Sequence, residues 1–487
     1  MARNSNTSFA YEALVSIILP EGILNVFEVV NVEEEHTGFI EETGLERRVI
    51  HIHLDERDLR SKEWHDLHPN GFTEEHCIND FPIRDRKVVL HVRRRRWKDE
   101  DGKNVVLPRE SLTASGTSYF KEFADVLKKY SDTYPIAVRS LERYFKVNGP
   151  TLEKNYKEHL SGYRQWDQLT HASDWLLLEQ NMGERLSIDE SMHQKDLFTF
   201  LSNKDGHGRK GTLIAAIRGT KASVVVEHLM RIPEDKRLAV REVTMDYSDS
   251  MYSIVTQVFP NADIVIDCFH VMKNQLDGLD AIRMRFKRKA IAEQGKEKKE
   301  FNRKKKARKK ARARYRKAHP KKPGEKRGRP RLRANEKFVP KELPNGDTKV
   351  ELFTRVKRVL PQSGEKWSES QKVRANMVFE FAPKLKEAHS LVCKLRAIFR
   401  NKKLTKDTAR EKLHAWYKEV SASRLPEMTS AMKTLKSKEN EVLNYFVNRS
   451  TNAAAESLNS KMKGFRSELR GVRDLPFFLY RCTMIFG

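Results

Sequence analysis

Cysteine is scarce in this sequence of 487 residues. The four cysteines, Cys77, Cys268, Cys393 and Cys482, lie far apart and form no Cys-x-x-Cys pair. Zinc ribbons and disulfide frameworks both depend on closely spaced cysteines, so the sequence predicts neither of them. A reducing, cytoplasmic environment is therefore expected.

Long hydrophobic runs are also absent. No stretch approaches the roughly 18 to 20 consecutive apolar residues that a membrane helix needs. The N-terminal stretch has a short apolar patch, but Glu12 interrupts the approach to it and the layout of a signal peptide is missing. The sequence therefore predicts no membrane-spanning segment.

Acidic residues are in the minority. The chain has 94 Lys and Arg against 67 Asp and Glu, a net charge of +27. A surplus of this size indicates a polyanionic partner, either nucleic acid or an anionic membrane surface. At roughly 150 residues per domain, the length suits about two to four domains.

Residues 1–112 are predicted to form a mixed or β-rich region. Residues 49–54 and 87–92 alternate apolar and polar side chains, as half-buried strands do. His51 and His53 alternate on the first strand and could be metal ligands. A solvated strand face is favoured instead, because no cysteine or third histidine lies at ligand spacing.

Two segments carry candidate DNA contacts. Arg93, Arg94, Arg95 and Arg96 precede Trp97, a combination that suits phosphate contact but equally a charged strand exit. Residues 113–172 are predicted to be helical: a helix over 136–145, a turn at Asn148-Gly149-Pro150, and a second helix with Thr151 near its N-cap. Lys154 and Lys157 on that second helix favour a helix-turn-helix, although any αα-hairpin shares this outline.

Short apolar strands that end in an acid recur three times further along. Leu186-Ser-Ile runs into Asp189, followed by Glu190, and two later runs end in Asp246 and Asp267. A carboxylate at the edge of a buried sheet must be paired, hydrogen-bonded or bound to a cation. One such acid is more often a turn cap, but three within one segment indicate a shared metal site.

The elements around these acids follow the order of three strands, helix, strand, helix, strand, helix. Three strands joined by short turns predict an antiparallel meander, and the helical crossovers predict parallel pairing. The Gly-rich stretch 204–211 is expected to be a hairpin loop rather than a phosphate cradle. The predicted fold class is α/β (α+β), with an RNase H-like mixed five-stranded sheet flanked by helices.

Residues 283–333 contain 26 Lys or Arg against 4 Glu. Lys304, Lys305 and Lys306 belong to this basic arm, which is expected to be a solvated helix or disordered until it meets a polyanion. Arg327 and Arg329 lie in Arg-Gly-Arg-Pro, the core of an AT-hook that would insert into a minor groove; a plain basic linker is the alternative. Residues 351–445 are predicted to be a helical insertion without a separate core, in which Trp416 packs rather than stacks on a base.

A late helix completes the set of acids. In residues 452–464, NAAAESLNSKMKG, the side chains of Glu456, Asn459 and Lys463 share one helix face. Carboxylate oxygens are the ligands that Mg²⁺ prefers, and two such ions can assist phosphodiester displacement. The expected cofactor is therefore two Mg²⁺ (or Mn²⁺) ions.

The segments ERLSIDES, GTLIAAIRGTKA, REVTMDYSDSM, FPNADIVIDCFHVMKNQLDGLDAIR and NAAAESLNSKMKGFR resemble the DDE transposases of bacterial insertion sequences, most closely the ISL-three family in its Aon branch. The resemblance covers residues 173–290 and 445–480, and residues 68–97 resemble the N-terminal region of that branch. Two departures stand out. The cysteine pairs of a zinc ribbon carried by many relatives are missing, and Cys268 stands where the family usually has Arg, which puts a phosphate contact of that Arg in doubt.

The resemblance implies a catalytic, metal-binding triad of Asp189, Asp246 and Glu456. Asp267, His270, Asn459 and Lys463 would support it. It further implies a helical insertion before the Glu helix. The predicted regions of the chain are 1–112, 113–172, 173–290 (first part of the catalytic core), 291–444 (basic arm and insertion) and 445–487 (last part of the core).

The function implied is a DNA transposase of the bacterial cytoplasm and nucleoid that cleaves transposon ends and transfers the strand into target DNA. Its partners would be double-stranded DNA, at the terminal inverted repeats and the target, and further copies of itself in a homo-oligomer. Two alternatives remain. One is a domesticated, non-catalytic DNA-binding protein, and the other is an RNase H-like nuclease that cuts without joining.

Overall fold

The structure is a computed structural model that describes residues 13–41, 44–193, 196–320, 322–324 and 337–487. The chain divides into two compact units. Unit 1 comprises Met1–Val240 and Ala453–Gly487, and unit 2 comprises Arg241–Asn452. The domain boundaries predicted from the sequence stay predictions.

The strands differ widely in burial, from β1, which is exposed after its first residue, to β12, which is buried throughout. In chain order they are β1 (Phe27–Ile40), β2 (Glu46–Glu56), β3 (His68–Phe72), β4 (His76–Ile83), β5 (Arg86–Arg93), β6 (Arg95–Lys98), β7 (Asn104–Val105), β8 (Trp175–Leu177), β9 (Arg185–His193), β10 (Asp196–Asn203), β11 (Leu213–Arg218), β12 (Glu242–Met245) and β13 (Asp263–Ile266).

The α-helices vary from one turn to more than fourteen. In chain order they are α1 (Ile23–Val26), α2 (Lys121–Thr133), α3 (Glu142–Phe145), α4 (Gly149–Asn155), α5 (Ala222–Leu229), α6 (Glu234–Leu238), α7 (Asp249–Val258), α8 (Cys268–Ala318), α9 (Lys349–Arg355), α10 (Glu369–Phe381), α11 (Pro383–Arg400), α12 (Lys406–Ser423), α13 (Pro426–Ser437), α14 (Glu439–Leu443), α15 (Tyr445–Asn448), α16 (Ala453–Glu468) and α17 (Leu475–Phe486). Within the described ranges, none of the helices is long and apolar enough to cross a membrane.

The N-terminal part of unit 1 contains a four-stranded sheet in the order β1-β2-β5-β4. The strands predicted at residues 49–54 and 87–92 are confirmed, because they lie within β2 and β5, which pair in parallel. Alternate side chains such as Leu54 and Leu90 point to a core that they share with Phe123 of α2. The opposite face of the sheet carries the polar side chains.

The helical segment after this sheet departs from the expected helix-turn-helix outline. The helix predicted over residues 136–145 is a 3₁₀ turn, Val138–Leu141, followed by the single turn α3. The second helix begins at Gly149, and its N-cap is Asn148, so Thr151 lies near the cap as predicted. The reason is that the Asn148 side chain accepts a hydrogen bond from the Thr151 N–H at 2.9 Å, while Pro150 needs no partner in the first turn.

The second sheet of unit 1 confirms the predicted meander. β9 pairs antiparallel with β10, and β10 pairs antiparallel with β11. The short strand β8, which the sequence did not predict, extends this sheet beyond β11. Apolar side chains of the sheet, including Phe198 and Phe200, pack against α16 and α17 through Leu458 and Phe478. The last residues of the chain are therefore part of the same core as β10 and β11.

Unit 2 begins with two parallel strands, β12 and β13, joined by α7 as predicted. Helices α9 to α15 pack with the first half of α8 around one hydrophobic cluster that includes Leu279, Leu391 and Val420. The expectation that the helical insertion lacks its own core is therefore wrong, because its apolar stripes face one another and the buried turns of α8. Trp416 packs in this core as predicted, and its Nε1–H donates to the Leu391 carbonyl at 2.8 Å.

Candidate active site

Asp189 lies in the middle of β9 rather than at its end. The strand continues to His193 because β10 pairs with it along that whole length. Leu186 and Ile188 are fully buried before the acid, as the apolar run predicted. Asp189 Oδ1 accepts a hydrogen bond from the backbone N–H of Glu190 at 2.8 Å. Burial, and then the Asp189 charge, raise the pKa of Glu190, so a second charge at this position is disfavoured.

Helix α16 contributes a direct partner for Asp189. The Asn459 side chain is 6% exposed, and its Nδ2–H donates to Asp189 Oδ2 at 2.6 Å. Asn459 occupies this position because Ala455, Leu458 and Met462 bury the same side of the helix against the sheet. The contact joins two residues that are 270 positions apart. It fixes the helix of Glu456 on the strand of Asp189.

The other two polar residues of the predicted stripe remain at the surface. Glu456 lies in the first turn of α16 and is exposed, and Lys463 is exposed two turns later. Lys461, which the sequence did not single out, donates to the Gly208 carbonyl at 2.7 Å. This contact holds the Gly-rich loop between β10 and β11, which is a hairpin connection as expected.

Unit 2 holds Asp246 in a separate polar environment. Asp246 directly follows β12, and its Oδ1 lies 3.2 Å from His270 Nε2 and accepts from Asn452 Nδ2 at 3.1 Å. His270 lies in the first turn of α8, and Asn452 precedes α16. Two side chains from distant parts of the chain therefore orient the same carboxylate oxygen. The contact of Asn452 with Asp246 was not predicted from the sequence.

Asp267 directly follows β13 and is 3% exposed. Its backbone N–H donates to the Met245 carbonyl at 3.0 Å, and its own carbonyl accepts from His270 and Val271 at the start of α8. Since carboxyl ends of parallel strands meet at one edge, Asp246 and Asp267 lie at the same end of the β12-β13 pair. The next residue is Cys268, whose thiol pKa is raised by burial and then by the Asp267 charge.

A comparison with known protein families identifies the family of this chain. The sequence profile of a transposase family, that of the ISL-three transposases, matches residues 186–482, which is more than half of the chain. The chain belongs to the ISL-three transposase family. No curated protein matches the chain. The matched span contains every acid discussed above, and DNA is the partner that the family implies. The Aon branch stays a prediction.

Three of the four consecutive arginines at the end of β5 and the start of β6 contact acidic residues within unit 1. Arg93 donates from Nε and Nη2 to both carboxylate oxygens of Asp55, each at 2.7 Å. Arg94 donates to Glu56 at 3.2 Å, and the backbone and side chain of Arg95 also donate to Glu56. These pairs favour the charged strand exit that the sequence left open. DNA contact by the segment, Arg96 included, stays a prediction.

The predicted recognition lysines of the transposase differ in their surroundings. Lys154 is exposed on α4. Lys157 Nζ contacts Asp474 Oδ2 at 2.7 Å and lies over the rings of Tyr163 and Phe477. The structure therefore gives Lys157 an intramolecular role in holding α17, and Lys154 is the better placed of the two for DNA.

The basic arm of the transposase is helical over most of its length. Lys304, Lys305 and Lys306 are exposed on α8, and Lys304 forms an i,i+4 pair with Glu300 at 2.7 Å. From residue 291 to 318 the helix carries 14 Lys and Arg against 3 Glu. The AT-hook-like residues Arg327 and Arg329 lie outside the described residues.

Proposed function

We propose that this transposase cleaves DNA at the ends of its element and joins the freed 3′-hydroxyl to target DNA, with Asp189, Asp246 and Glu456 as the catalytic carboxylates. The observation that carries the proposal is the hydrogen bond from Asn459 to Asp189, which places the helix of Glu456 on the strand of Asp189 within unit 1. The family match supports it further, because all three acids fall within residues 186–482.

The residues present fit a divalent metal of the Mg²⁺ or Mn²⁺ type. Asp189, Asp246 and Glu456 offer only carboxylate oxygens, the hard ligands that these ions prefer. When bound, a pair of such ions supplies the charge that activates a water or hydroxyl and stabilises the leaving oxygen of a phosphodiester.

The surrounding residues have positioning roles in this proposal. Asn459 fixes one oxygen of Asp189, and the backbone of Glu190 fixes the other. His270 and Asn452 hold Oδ1 of Asp246. Asp267 is buried immediately before α8, and its carbonyl accepts hydrogen bonds from the backbone of His270 and Val271. Its proposed role is to position His270. Lys463 is exposed on the helix of Glu456, so its proposed role is to contact DNA phosphate.

Double-stranded DNA is the proposed substrate, at the terminal inverted repeats and at the target. The support is the exposed basic half of α8, which presents Lys and Arg along about 40 Å at 1.5 Å per residue. Insertion of an element requires both of its ends to be held at one target site. We therefore propose that further copies of the chain assemble on the paired ends.

The test is a strand-transfer assay with the purified full chain, a labelled element end, a target plasmid and Mg²⁺ or Mn²⁺. Each single substitution of a proposed ligand should lower both cleavage and joining by more than roughly 100-fold. Residues that only support metal ligands typically cost about 10- to 100-fold when replaced. The three variants are Asp189→Asn, Asp246→Asn and Glu456→Gln. Glu190→Gln and Glu468→Gln are matched controls, because each removes one carboxylate from the same strand or helix. Both controls should retain joining.

Each outcome distinguishes the proposal from its alternatives. Joined product that persists in Glu456→Gln or Asp189→Asn would contradict the assignment of the triad. Cleavage of the wild type without any joined product would instead indicate an RNase H-like nuclease. Tight DNA binding by the wild type, with neither product under either metal, would indicate a domesticated DNA-binding protein.

A further inference from the structure

The polar face of the N-terminal sheet carries an unusual cluster of imidazole, carboxylate and thiol groups. His53 on β2 is the registered partner of His91 on β5, and His91 is the registered partner of Cys77 on β4. Neighbouring strands lie about 4.8 Å apart, so these three side chains form one row across the sheet. The sequence could not show this, because the third histidine and the cysteine come from other strands.

All members of the row lie on the face opposite the core. Ile52 and Leu54, Leu90 and Val92, and Ile78 point into the apolar cluster beneath the sheet. Side chains alternate along a strand, so the intervening residues of β2, β5 and β4 point outward. His53 and His91 are half-buried there, and Cys77 is exposed.

Glu75, just before β4, completes the cluster. Its two carboxylate oxygens contact His53 Nδ1 at 2.8 Å and His91 Nδ1 at 3.0 Å. Cys77 Sγ lies 3.6 Å from the same His91 nitrogen. One donor atom each from His53, Glu75 and His91 falls within 4.8 Å of the others. Tetrahedral bonds of about 2.0–2.3 Å place ligand atoms roughly 3–4 Å apart, so only small side-chain shifts separate this arrangement from a coordination sphere.

The second ring nitrogen of His91 also has a polar partner. His51 Nδ1 lies 2.8 Å from His91 Nε2, and His51 Nε2 lies 3.0 Å from Glu35 Oε2. If His91 Nε2–H donates to His51, then His51 Nε2–H donates to Glu35 and the His91 Nδ1 lone pair faces Glu75. A metal-bound histidine typically has this pattern, in which the second nitrogen donates to an outer partner.

A bare lone pair facing a carboxylate is unfavourable unless a cation or proton lies between them. Two imidazoles, one carboxylate and one thiol are donors of the borderline-soft set that zinc takes in four-coordinate sites.

We propose that His53, Glu75, Cys77 and His91 form a zinc-binding site that ties β2, β4 and β5 together, with His51 and Glu35 orienting the ligands. Zn²⁺ displaces the Cys77 thiol proton to solvent on binding, and the imidazoles bind as neutral ligands. The site stabilises the N-terminal sheet and is separate from the carboxylates proposed for catalysis, which are all oxygen donors.

The experiment uses the full chain, purified without chelator and passed through gel filtration, with bound metal measured by elemental analysis. About one zinc per chain is expected, and chelation should lower the melting temperature of the wild type. Replacement by Co²⁺ should produce a thiolate-to-cobalt charge-transfer band. Both the zinc and the band should persist in the double variant Asp189→Asn/Glu456→Gln, which removes carboxylates of the proposed catalytic site.

The variants separate the site from a hydrogen-bonded histidine cluster. His53→Gln/His91→Gln should lose the zinc, and Cys77→Ala should lose the charge-transfer band while remaining folded, since Cys77 is exposed. His76→Gln is the matched control, because His76 is next to Cys77 on β4 but points to the other face. The absence of stoichiometric zinc in the wild type, a melting temperature that chelation leaves unchanged, or a band that survives Cys77→Ala would overturn the proposal.

Discussion

Two buried charged residues in unit 1 are accommodated differently. Arg481 on α17 is 2% exposed, and its Nη2 donates to the carbonyls of Ser131, Tyr134 and Ile136 at 2.6, 3.2 and 3.3 Å. Asp80 on β4 is 6% exposed, and its Oδ1 is buried without a hydrogen-bond partner among the described residues. A buried charge is stable only when it is compensated, so Asp80 is the weak point of the two.

The first prediction concerns Asp80 and pH. Burial raises the pKa of Asp80 to about 6, whereas an unfolded aspartate titrates near 3.9. The folded state therefore holds the proton more tightly, and its stability falls as the pH rises from about 4 through about 6. Asp80→Asn abolishes this titration. The free energy of unfolding of the Asp80→Asn variant minus that of the wild type should therefore increase by about 2–3 kcal/mol between pH 4 and pH 7.5. Urea titration at each pH measures this difference.

Asp66→Asn serves as the control for this experiment because Asp66 is exposed. It should leave the dependence of stability on pH close to that of the wild type. If Asp80→Asn and wild type instead show parallel stability curves across this range, then Asp80 is ionised in the folded state at no cost.

Among the elements, helix α8 consists of a first half that is partly buried and a second half that is exposed. Its residues up to Ala290 include buried positions such as Val271, Leu279 and Ile282, which pack in the core of unit 2. After Ala290 nearly every residue is exposed, and like charges lie within one turn of one another. Such repulsion destabilises a helix that has no apolar face to pack, so a polyanion is expected to stabilise this half.

The second prediction follows for DNA binding by this half of α8. The triple variant Lys304→Gln/Lys305→Gln/Lys306→Gln should reduce the slope of log affinity against log salt concentration by about 2–3, since each lost phosphate contact accounts for about 0.9. The measurement is a fluorescence anisotropy titration with a duplex at several salt concentrations.

Lys402→Gln/Lys403→Gln/Lys412→Gln is the matched variant, because it removes three exposed lysines from unit 2 outside α8. A smaller change of slope is expected for it. Equal slopes in the two triple variants would show that net charge, and not the arm, governs the binding of DNA.

At the scale of the whole molecule, the excess charge belongs to one unit. Residues 241–452 contain 53 Lys and Arg against 25 Asp and Glu, a net of +28. Unit 1 contains the remaining 41 Lys and Arg against 42 Asp and Glu, a net of −1. Unspecific attraction to DNA, which depends on charge, is therefore expected to reside in unit 2.

The third prediction tests this distribution by hydrogen exchange with mass spectrometry. A duplex of unrelated sequence, added at low salt, should protect peptides of unit 2, above all those of residues 291–318, and leave those of unit 1 unchanged. A duplex containing the element end should add protection in unit 1 if residues 93–96 or Lys154 read the ends. Protection of unit 1 by the unrelated duplex would contradict the prediction.

Much of the local structure was predictable from the sequence. The meander of β9, β10 and β11, the parallel pair β12 and β13, and the acids that follow the latter two strands all emerged from apolar runs and turn residues. These signals are local, because the burial of one face fixes the spacing of apolar residues within each strand or helix separately. The helical insertion was also correctly predicted as helical, but its core was missed, since stripes on separate helices do not reveal which of them face one another.

The sequence by itself determined the elements, the basic arm, the acids and the family resemblance of this transposase. Only the tertiary structure decided which side chains meet: Asn459 with Asp189, Asn452 and His270 with Asp246, and His53 with His91 and Cys77. It also showed that β9 continues past Asp189, so the acid predicted to close a strand lies inside it. The reason is physical: strand length and cross-strand register depend on the pairing partner, and partners distant in sequence are chosen by the packing of the whole core.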